Sequence, residues 1–387
     1  MSEAKGQPSY ERSSIGWGSL ARLAGKTLLF ALLLNVVVAP LRPVDAAAQI
    51  SLYNSVFPGR LRFPYADDPA RSYSVSVTQL DMLFRSHDVS GPPRRANELR
   101  VFVIGDSSVW GFRLAPQQTL AARLDGLGLE AEGRPVSFYN LGYPTMSLTK
   151  DVMLLERSLA YHPDLILWLV TLESFPAGVQ ASPLVSFNRA TAETMLRGAG
   201  IAPERYLPPA SDGTWWTDTV VGGRRELAEW LRLQLFGVLW SASGLDFDPE
   251  ATFAPRSEDL EPDRTFHGFE AGEMAASDLA WDVLEAGMRS AGSVPVWIVN
   301  EPMFVSHGAN SDIRYNTFYP RWAYDDYHMM WQDRCRVGGW VCLDLWDALP
   351  ADAFTDSAVH YNPAGAESLA QRLAEAIGAA PSPGSVP

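Results

Sequence analysis

Five short apolar runs, separated by amphipathic stretches, constrain the fold of this chain more than any other feature of its sequence. None exceeds seven residues, and each is mostly Val, Ile, Leu or aromatic; they lie at 100–104, 136–141, 165–171, 294–299 and 341–345. Runs that are apolar on both faces are typical of buried parallel strands. The alternation therefore predicts an α/β fold, a three-layer α/β/α sandwich built on a five-stranded parallel sheet.

The stretches between these runs predict the helices of the sandwich. They lie at 117–127, 148–160, 276–290, 321–332 and 363–377. The last begins with Asn362 as a candidate N-cap and Pro363 at the first helical position. Residues 176–275 break the rhythm, and we interpret them as an insertion that includes a helix at 226–240. The predicted organisation is a tail and anchor at 1–41, a connector at 42–98 and the α/β domain at 99–380.

One segment, at 19–40, is apolar for long enough to cross a membrane, which excludes a multi-span membrane protein. The chain carries no charge from 27 to 41, and Arg12, Arg22 and Lys26 precede that part and orient the N-terminus toward the cytoplasm. Two interpretations stay open. The segment is either a signal anchor that remains in the membrane, or a signal peptide cleaved near Ala48, where three alanines offer a cleavage site. Both predict an extracytoplasmic protein, anchored in the first case and secreted in the second.

Charge and cysteine content limit the partners and cofactors. The chain has 31 Lys and Arg against 45 Asp and Glu, a net charge of −14, which argues against nucleic-acid binding. Its two cysteines, Cys335 and Cys342, are seven positions apart around two glycines. They form either a disulfide, in an oxidising compartment, or two buried thiols. No CxxC or His-rich spacing predicts a metal site.

Two short motifs carry candidate chemistry. Gly105-Asp106-Ser107-Ser108 follows the first predicted strand, at the edge where open α/β sheets bind ligands. Asp356 and His360 come just before the last predicted helix. A serine hydroxyl needs a base to become a nucleophile, and a carboxylate can orient an imidazole for that role.

These motifs, together with Asn140-Leu141-Gly142 after the second strand, resemble the SGNH (GDSL-type) hydrolase superfamily. The resemblance covers residues 99–175 and 291–378 and implies a flavodoxin-like fold. It also implies Ser107 as nucleophile, His360 as general base and Asp356 as the group that orients it. The N–H groups of Ser107 and Gly142 would stabilise the oxyanion, and neither a metal nor an organic cofactor would be needed.

The third strand departs from the family pattern. The family places an Asn side chain in the oxyanion hole there, whereas this chain has Leu172, which cannot donate. Such a donor is worth roughly 3 kcal/mol. Thr171 or Ser174 substitutes, or Asn300 reaches in, or catalysis is weak. We take Thr171 as the oxyanion candidate. The candidate substrate-binding residues are Asp106, Ser108, Glu173 and Asn300, and the remaining histidines, His87, His162, His267, His307 and His328, are taken as surface or packing residues.

The function implied by the resemblance is that of a serine esterase or O-acyltransferase working through an acyl-enzyme. Its substrate would be an acyl ester, including esters of cell-envelope glycans. Anchored relatives of the superfamily often act beside a multi-span membrane acyltransferase, so such a partner is also expected. The alternative, from another functional class, is a catalytically weak or silent envelope-binding protein that keeps the fold.

Overall fold

The computed structural model describes residues 16–41, 43–48, 50, 59–65, 78–209, 219–243 and 254–379. Parts of the predicted connector and insertion lie outside these ranges. The proposed division of the chain into anchor, connector and domain stays a prediction.

One mixed sheet of six strands runs through the described part of the chain. Its strands are β1 (Leu99–Ile104), β2 (Glu130–Ala131), β3 (Arg134–Asn140), β4 (Leu165–Val170), β5 (Val296–Asn300) and β6 (Val341–Asp344). The order across the sheet is β2-β3-β1-β4-β5-β6, and every neighbouring pair is parallel except β2 and β3. The prediction of a purely parallel, five-stranded sheet is therefore wrong.

The sixth strand arises from a tight hairpin that the apolar pattern does not reveal. Glu132 and Gly133 join β2 to β3, and both have positive φ, 53° and 70°. Two such residues suit a two-residue hairpin turn, which returns the chain antiparallel to itself. Because β2 has only two residues, too few to show alternation, periodicity could not predict it.

The five parallel strands have the doubly wound order 2-1-3-4-5 when numbered among themselves. The order reverses at β1, which pairs with β3 on one side and β4 on the other. Ligands of such sheets bind outside the carboxyl ends of the strands at this reversal. The motif that begins at Gly105 follows β1 directly, so the topology places it at that position.

Twelve α-helices occur within the described residues. They are α1 (Trp17–Val38), α2 (Pro43–Ala48), α3 (Leu80–Ser86), α4 (Ser107–Trp110), α5 (Leu120–Gly126), α6 (Leu148–Ser158), α7 (Pro183–Phe187), α8 (Arg189–Gly198), α9 (Arg224–Ser243), α10 (Trp281–Ser290), α11 (Arg321–Gly338) and α12 (Pro363–Ala379). The six helices expected from amphipathic stretches are confirmed, with shifted ends.

Alternating side chains of the strands separate two apolar layers, as strand geometry requires. In β1, Phe102 and Ile104 pack in the larger cluster, whereas Val101 and Val103 pack in the smaller one. Helices α6 and α10 pack together on the first side, and α5 and α12 on the second. The three-layer α/β/α sandwich is confirmed.

Helix α1 is long and apolar enough to cross a membrane, and it is the only such helix in the described residues. Its most apolar window has a mean hydropathy of 1.7 and is almost entirely exposed. The structure joins Cys335 to Cys342 in a disulfide between α11 and β6.

Candidate active site

The Ser107 hydroxyl stands at the start of α4, immediately beyond β1. The carboxylate of Asp106 caps this helix by accepting a hydrogen bond from the Ser108 N–H at 2.7 Å. Gly111 ends the helix with φ 87°, and a side chain there would collide with Thr119. The short helix therefore holds Ser107 in a fixed turn, with the residue partly exposed.

His360 comes from the loop before α12 and meets Ser107 across 253 positions of sequence. Its Nε2 lies 2.9 Å from Ser107 Oγ, and its Nδ1 lies 2.9 Å from Asp356 Oδ1. Because the ionised carboxylate can only accept, Nδ1 carries the proton and Nε2 is left to accept from the hydroxyl. The structure thus brings together the three predicted catalytic side chains in a continuous hydrogen-bonded chain.

Two residues from the loop after α4 also contact the hydrogen-bonded side chains of His360 and Asp356. The sequence analysis predicted a role for neither residue. Arg113 donates from Nε to Asp356 Oδ2 at 3.1 Å, and the Phe112 ring stacks on the His360 imidazole with centroids 4.7 Å apart. Burial opposes ionisation of Asp356, but hydrogen bonds from His360, Arg113 and Thr355 outweigh it and hold its pKa below the usual range. Asp356 is therefore a carboxylate at neutral pH.

A buried lysine supports the turn that carries Ser107. Lys150, in the first turn of α6, is fully buried and donates to the carbonyl oxygens of Gly105 and Tyr143, each at 2.8 Å. Its charge is paired with Asp151 at 2.8 Å. Burial raises the pKa of Asp151 to about 6, although Lys150 opposes the shift. This pair ties α6 to the backbone two residues before the candidate nucleophile.

Asp106 and Ser108, predicted to bind substrate, are instead buried in a polar cluster beneath Ser107. The Ser108 hydroxyl donates to Glu301 Oε2 at 2.5 Å, and the Tyr361 hydroxyl donates to the same oxygen at 3.4 Å. Burial and the neighbouring charge of Asp106 raise the pKa of Glu301 well above its usual value. This cluster packs beneath the turn that carries Ser107.

Of the three predicted oxyanion donors, two have other partners in this structure. The Gly142 N–H donates to Asn140 Oδ1 at 3.0 Å, and the buried Thr171 hydroxyl lies 3.0 Å from the Tyr319 hydroxyl. The Ser107 N–H lies at the first position of a helix, where the helix itself supplies no acceptor. It is the candidate donor that remains.

The two other predicted substrate contacts differ in accessibility. Glu173, just after β4, is partly exposed, and its Oε1 lies 2.8 Å from His267 Nε2. His267 therefore joins the predicted insertion to the edge of the site.

Asn300, at the end of β5, is fully buried and makes no contact with solvent. Its amide donates to Asp344 at 3.0 Å, and its carbonyl oxygen accepts from two tyrosines of α11, Tyr324 and Tyr327. As placed, this side chain does not reach a substrate.

Glu301 was not predicted as a site residue, although its position at the end of β5 indicates which way its side chain points. The side chains of a strand alternate between faces, so Asn300 and Glu301 must point in opposite directions where β5 ends. Asn300 points toward α11, and Glu301 points toward Ser108 beneath the candidate nucleophile. By contrast, Arg113 reaches Asp356 from a loop residue with φ 65°, which no pattern in the sequence indicates.

No metal-binding group of three or more His, Cys, Asp or Glu side chains occurs in the described ranges.

No family model and no curated protein matches the chain. Several solved structures do. A lipolytic protein of the G-D-S-L family from Veillonella parvula DSM 2008 is 11% identical, with a TM-score of 0.36, and the match covers 73% of this chain and 100% of that one.

Two further solved structures are similar at the same level. A lipase/acylhydrolase from Enterococcus faecalis is 14% identical with a TM-score of 0.36, covering 72% of this chain and 95% of its own. A carbohydrate acetylesterase family member from Sinorhizobium meliloti is 13% identical with a TM-score of 0.33, covering 72% and 97%. Because these identities and scores are low, a function for this chain has to be argued from its own residues.

Proposed function

We propose that this protein is a serine-dependent carboxylic ester hydrolase or O-acyltransferase. The observation that carries the proposal is the hydrogen-bonded chain from Ser107 through His360 to Asp356, with both links at 2.9 Å. A serine is activated as a nucleophile by a base within hydrogen-bond reach that a third group orients. The partial exposure of Ser107 leaves it accessible to an ester.

The geometry supports a two-step reaction. Ser107 Oγ attacks the ester carbonyl carbon while its proton passes to His360 Nε2. The tetrahedral intermediate then collapses, the alcohol leaves with that proton, and an acyl-enzyme remains. Water or a sugar hydroxyl attacks the acyl-enzyme, again giving its proton to His360, which returns it to Ser107. Throughout, the Asp356 carboxylate stabilises the imidazolium, and the Ser107 N–H faces the developing oxyanion.

We further propose that α1 anchors the protein in a membrane and that the α/β domain is extracytoplasmic. The length and apolarity of α1 support the anchor, and Arg22 and Lys26 in its first half support this orientation. An acyl ester of a cell-envelope glycan would then be within reach, with a multi-span acyltransferase as the proposed partner. If a protease cleaves the chain near Ala48, the domain is secreted instead.

The direct test is covalent labelling of the purified protein with a fluorophosphonate probe. We expect labelling of the wild type and its complete loss in Ser107→Ala. Ser186→Ala, at an exposed serine of α7, is the matched control and should label like the wild type. No labelling of the folded wild type at any pH would contradict the proposal.

Two further measurements then separate the forms of the proposed function. Adding sugar acceptors during ester turnover distinguishes transfer, which yields an acylated sugar, from hydrolysis. The mass of the mature protein distinguishes a retained anchor from cleavage near Ala48.

One observation favours a second candidate, a weak or silent envelope-binding protein. The Gly142 N–H and the Thr171 hydroxyl both have other partners, so the oxyanion site as placed depends on the Ser107 N–H. A protein with this role would bind glycan without labelling. Labelling that depends on Ser107 would exclude it.

A further inference from the structure

Helix α9 carries an exposed apolar stripe that none of the chemistry above uses. Leu231, Leu235 and Leu239 are four residues apart and therefore lie on one face of the helix. Together with the adjacent Phe236 they are 46–63% exposed, which is high for large apolar side chains. Contiguous apolar surface of this kind marks a site of interaction with another apolar partner.

The opposite face of α9 is fixed to the protein, so the stripe cannot turn inward. Leu233 is buried in the larger core cluster, and the Thr78 hydroxyl donates to the buried Glu229 at 3.2 Å. Trp230 Nε1 donates to the carbonyl oxygen of Ile50 at 3.0 Å. The stripe is thus a permanent part of the molecular surface.

The chain just before α9 contacts the proposed membrane anchor. The Val221 N–H donates to Asn35 Oδ1 at 2.9 Å, and Asn35 is buried there, three positions before the end of α1 at Val38. At 1.5 Å of rise per residue, this contact lies about 5 Å from the end of α1. Helix α9 also packs against α2, which follows the anchor in the chain.

We propose that α9 lies in the interface of the bilayer that α1 crosses, with its leucine stripe among the lipids of the outer leaflet. This inference rests on the proposed anchor. The contact of Val221 with Asn35 places the start of α9 near the depth where α1 leaves the membrane. Amphipathic helices at such an interface bury their apolar face about 5–10 Å deep, and α9 is about 30 Å long.

The charges around the stripe fit a lipid surface. Arg224, Arg225 and Arg232 are exposed on α9 and can reach lipid phosphates, although Arg225 is also paired with Glu229. Such an interfacial helix would fix the orientation of the whole domain, and hence of its active-site opening, relative to the membrane surface.

The test measures the depth of single labelled positions in the full-length protein. Both native cysteines are in a disulfide, so an introduced cysteine is the only free thiol. Three variants are labelled with an environment-sensitive NBD fluorophore and reconstituted in phosphatidylcholine vesicles with and without doxyl-labelled lipid. They are Leu235→Cys in the stripe, Leu29→Cys in α1, and Leu127→Cys, an exposed leucine at the end of α5 on the other side of the sheet.

We expect blue-shifted emission and strong quenching by doxyl lipid at positions 235 and 29, and neither at position 127. Quenching at 29 without quenching at 235 would overturn the interfacial helix and leave the anchor in place. No quenching at either position would overturn the anchor as well. A blue shift at 235 that doxyl lipid does not quench would mean that protein covers the stripe, either a second copy or another membrane protein, and would also overturn the inference.

Discussion

The polar residues that follow the strands fall into two groups, one after β1 and one at the ends of β4 and β5. The two groups differ in the contacts that their side chains make. At the end of β1, Ser107 faces His360, and the hydrogen-bonded chain continues to Asp356. At the ends of β4 and β5, Thr171 and Asn300 are directed into the protein, toward tyrosines of the segment 319–327. The first group forms a hydrogen-bonded chain that begins at a partly exposed hydroxyl, whereas the second group is buried against neighbouring side chains.

The difference shows which part of a catalytic site a short motif determines. A nucleophile and its base need particular side chains, which are visible in a sequence. An oxyanion hole needs donors that point at an empty position, and the direction of a donor depends on every neighbour it could bond instead. Here Tyr319 and Asn140 are those neighbours, and Tyr319 belongs to none of the motifs.

The largest expected effect is on stability, and it comes from replacing Lys150, which supports the turn that carries Ser107. Lys150→Met removes the donor to Gly105 and leaves the Asp151 carboxylate buried without its cation. Removing one partner of a buried pair costs about 3–5 kcal/mol, which should appear as a lower urea midpoint for unfolding. The turn should also loosen, so fluorophosphonate labelling of Ser107 should slow.

The double variant Lys150→Met with Asp151→Asn is the matched control. It removes both charges and keeps an acceptor for the indole N–H of Trp168, which donates to Asp151 at 3.2 Å. We expect it to be more stable than Lys150→Met alone, because no unpaired charge remains in the core. Equal stability of the single variant and the wild type would show that the lysine does not hold the turn.

A second substitution tests whether Thr171 is a catalytic donor. Thr171→Val keeps the shape of the side chain and removes its hydroxyl. Because that hydroxyl is paired with Tyr319, we expect kcat/KM for a small activated ester to change by less than about threefold, whereas an oxyanion donor would cost roughly a hundredfold. A hundredfold loss with an unchanged Tm would show that Thr171 turns toward the substrate during the reaction.

The sequence was sufficient for the parts of the molecule that repeat or that carry a contiguous motif. Periodicity located the five parallel strands and the main helices, and topology then placed Ser107 at the reversal of strand order. The sequence did not predict the features that depend on tertiary contacts or that are too short to show a pattern. Lys150 is polar and yet buried, Arg113 reaches Asp356 from a loop, and β2 is too short to show a period.

The smallest expected effect concerns His267, which connects the insertion to Glu173 beside the second group of strand ends. The hydrogen bond from His267 to Glu173 raises the pKa of the imidazole above its usual 6.5, although burial opposes the shift. Because the folded state favours the protonated imidazole, the contact stabilises the insertion fully below pH 6.5. That contribution is lost as pH rises through the raised pKa.

Hydrogen exchange around residues 264–270, corrected for its intrinsic pH dependence, should therefore show more opening as pH rises above 6.5. Both side chains are partly exposed, so the effect should stay below about 1 kcal/mol. His267→Gln keeps a donor without a titrating charge, and its opening should not change with pH over this range. If hydrogen exchange in the wild type and in the variant responds to pH alike, the His267–Glu173 pair does not hold the insertion. Protonation of His267 would then not connect the insertion to the residues that follow β4.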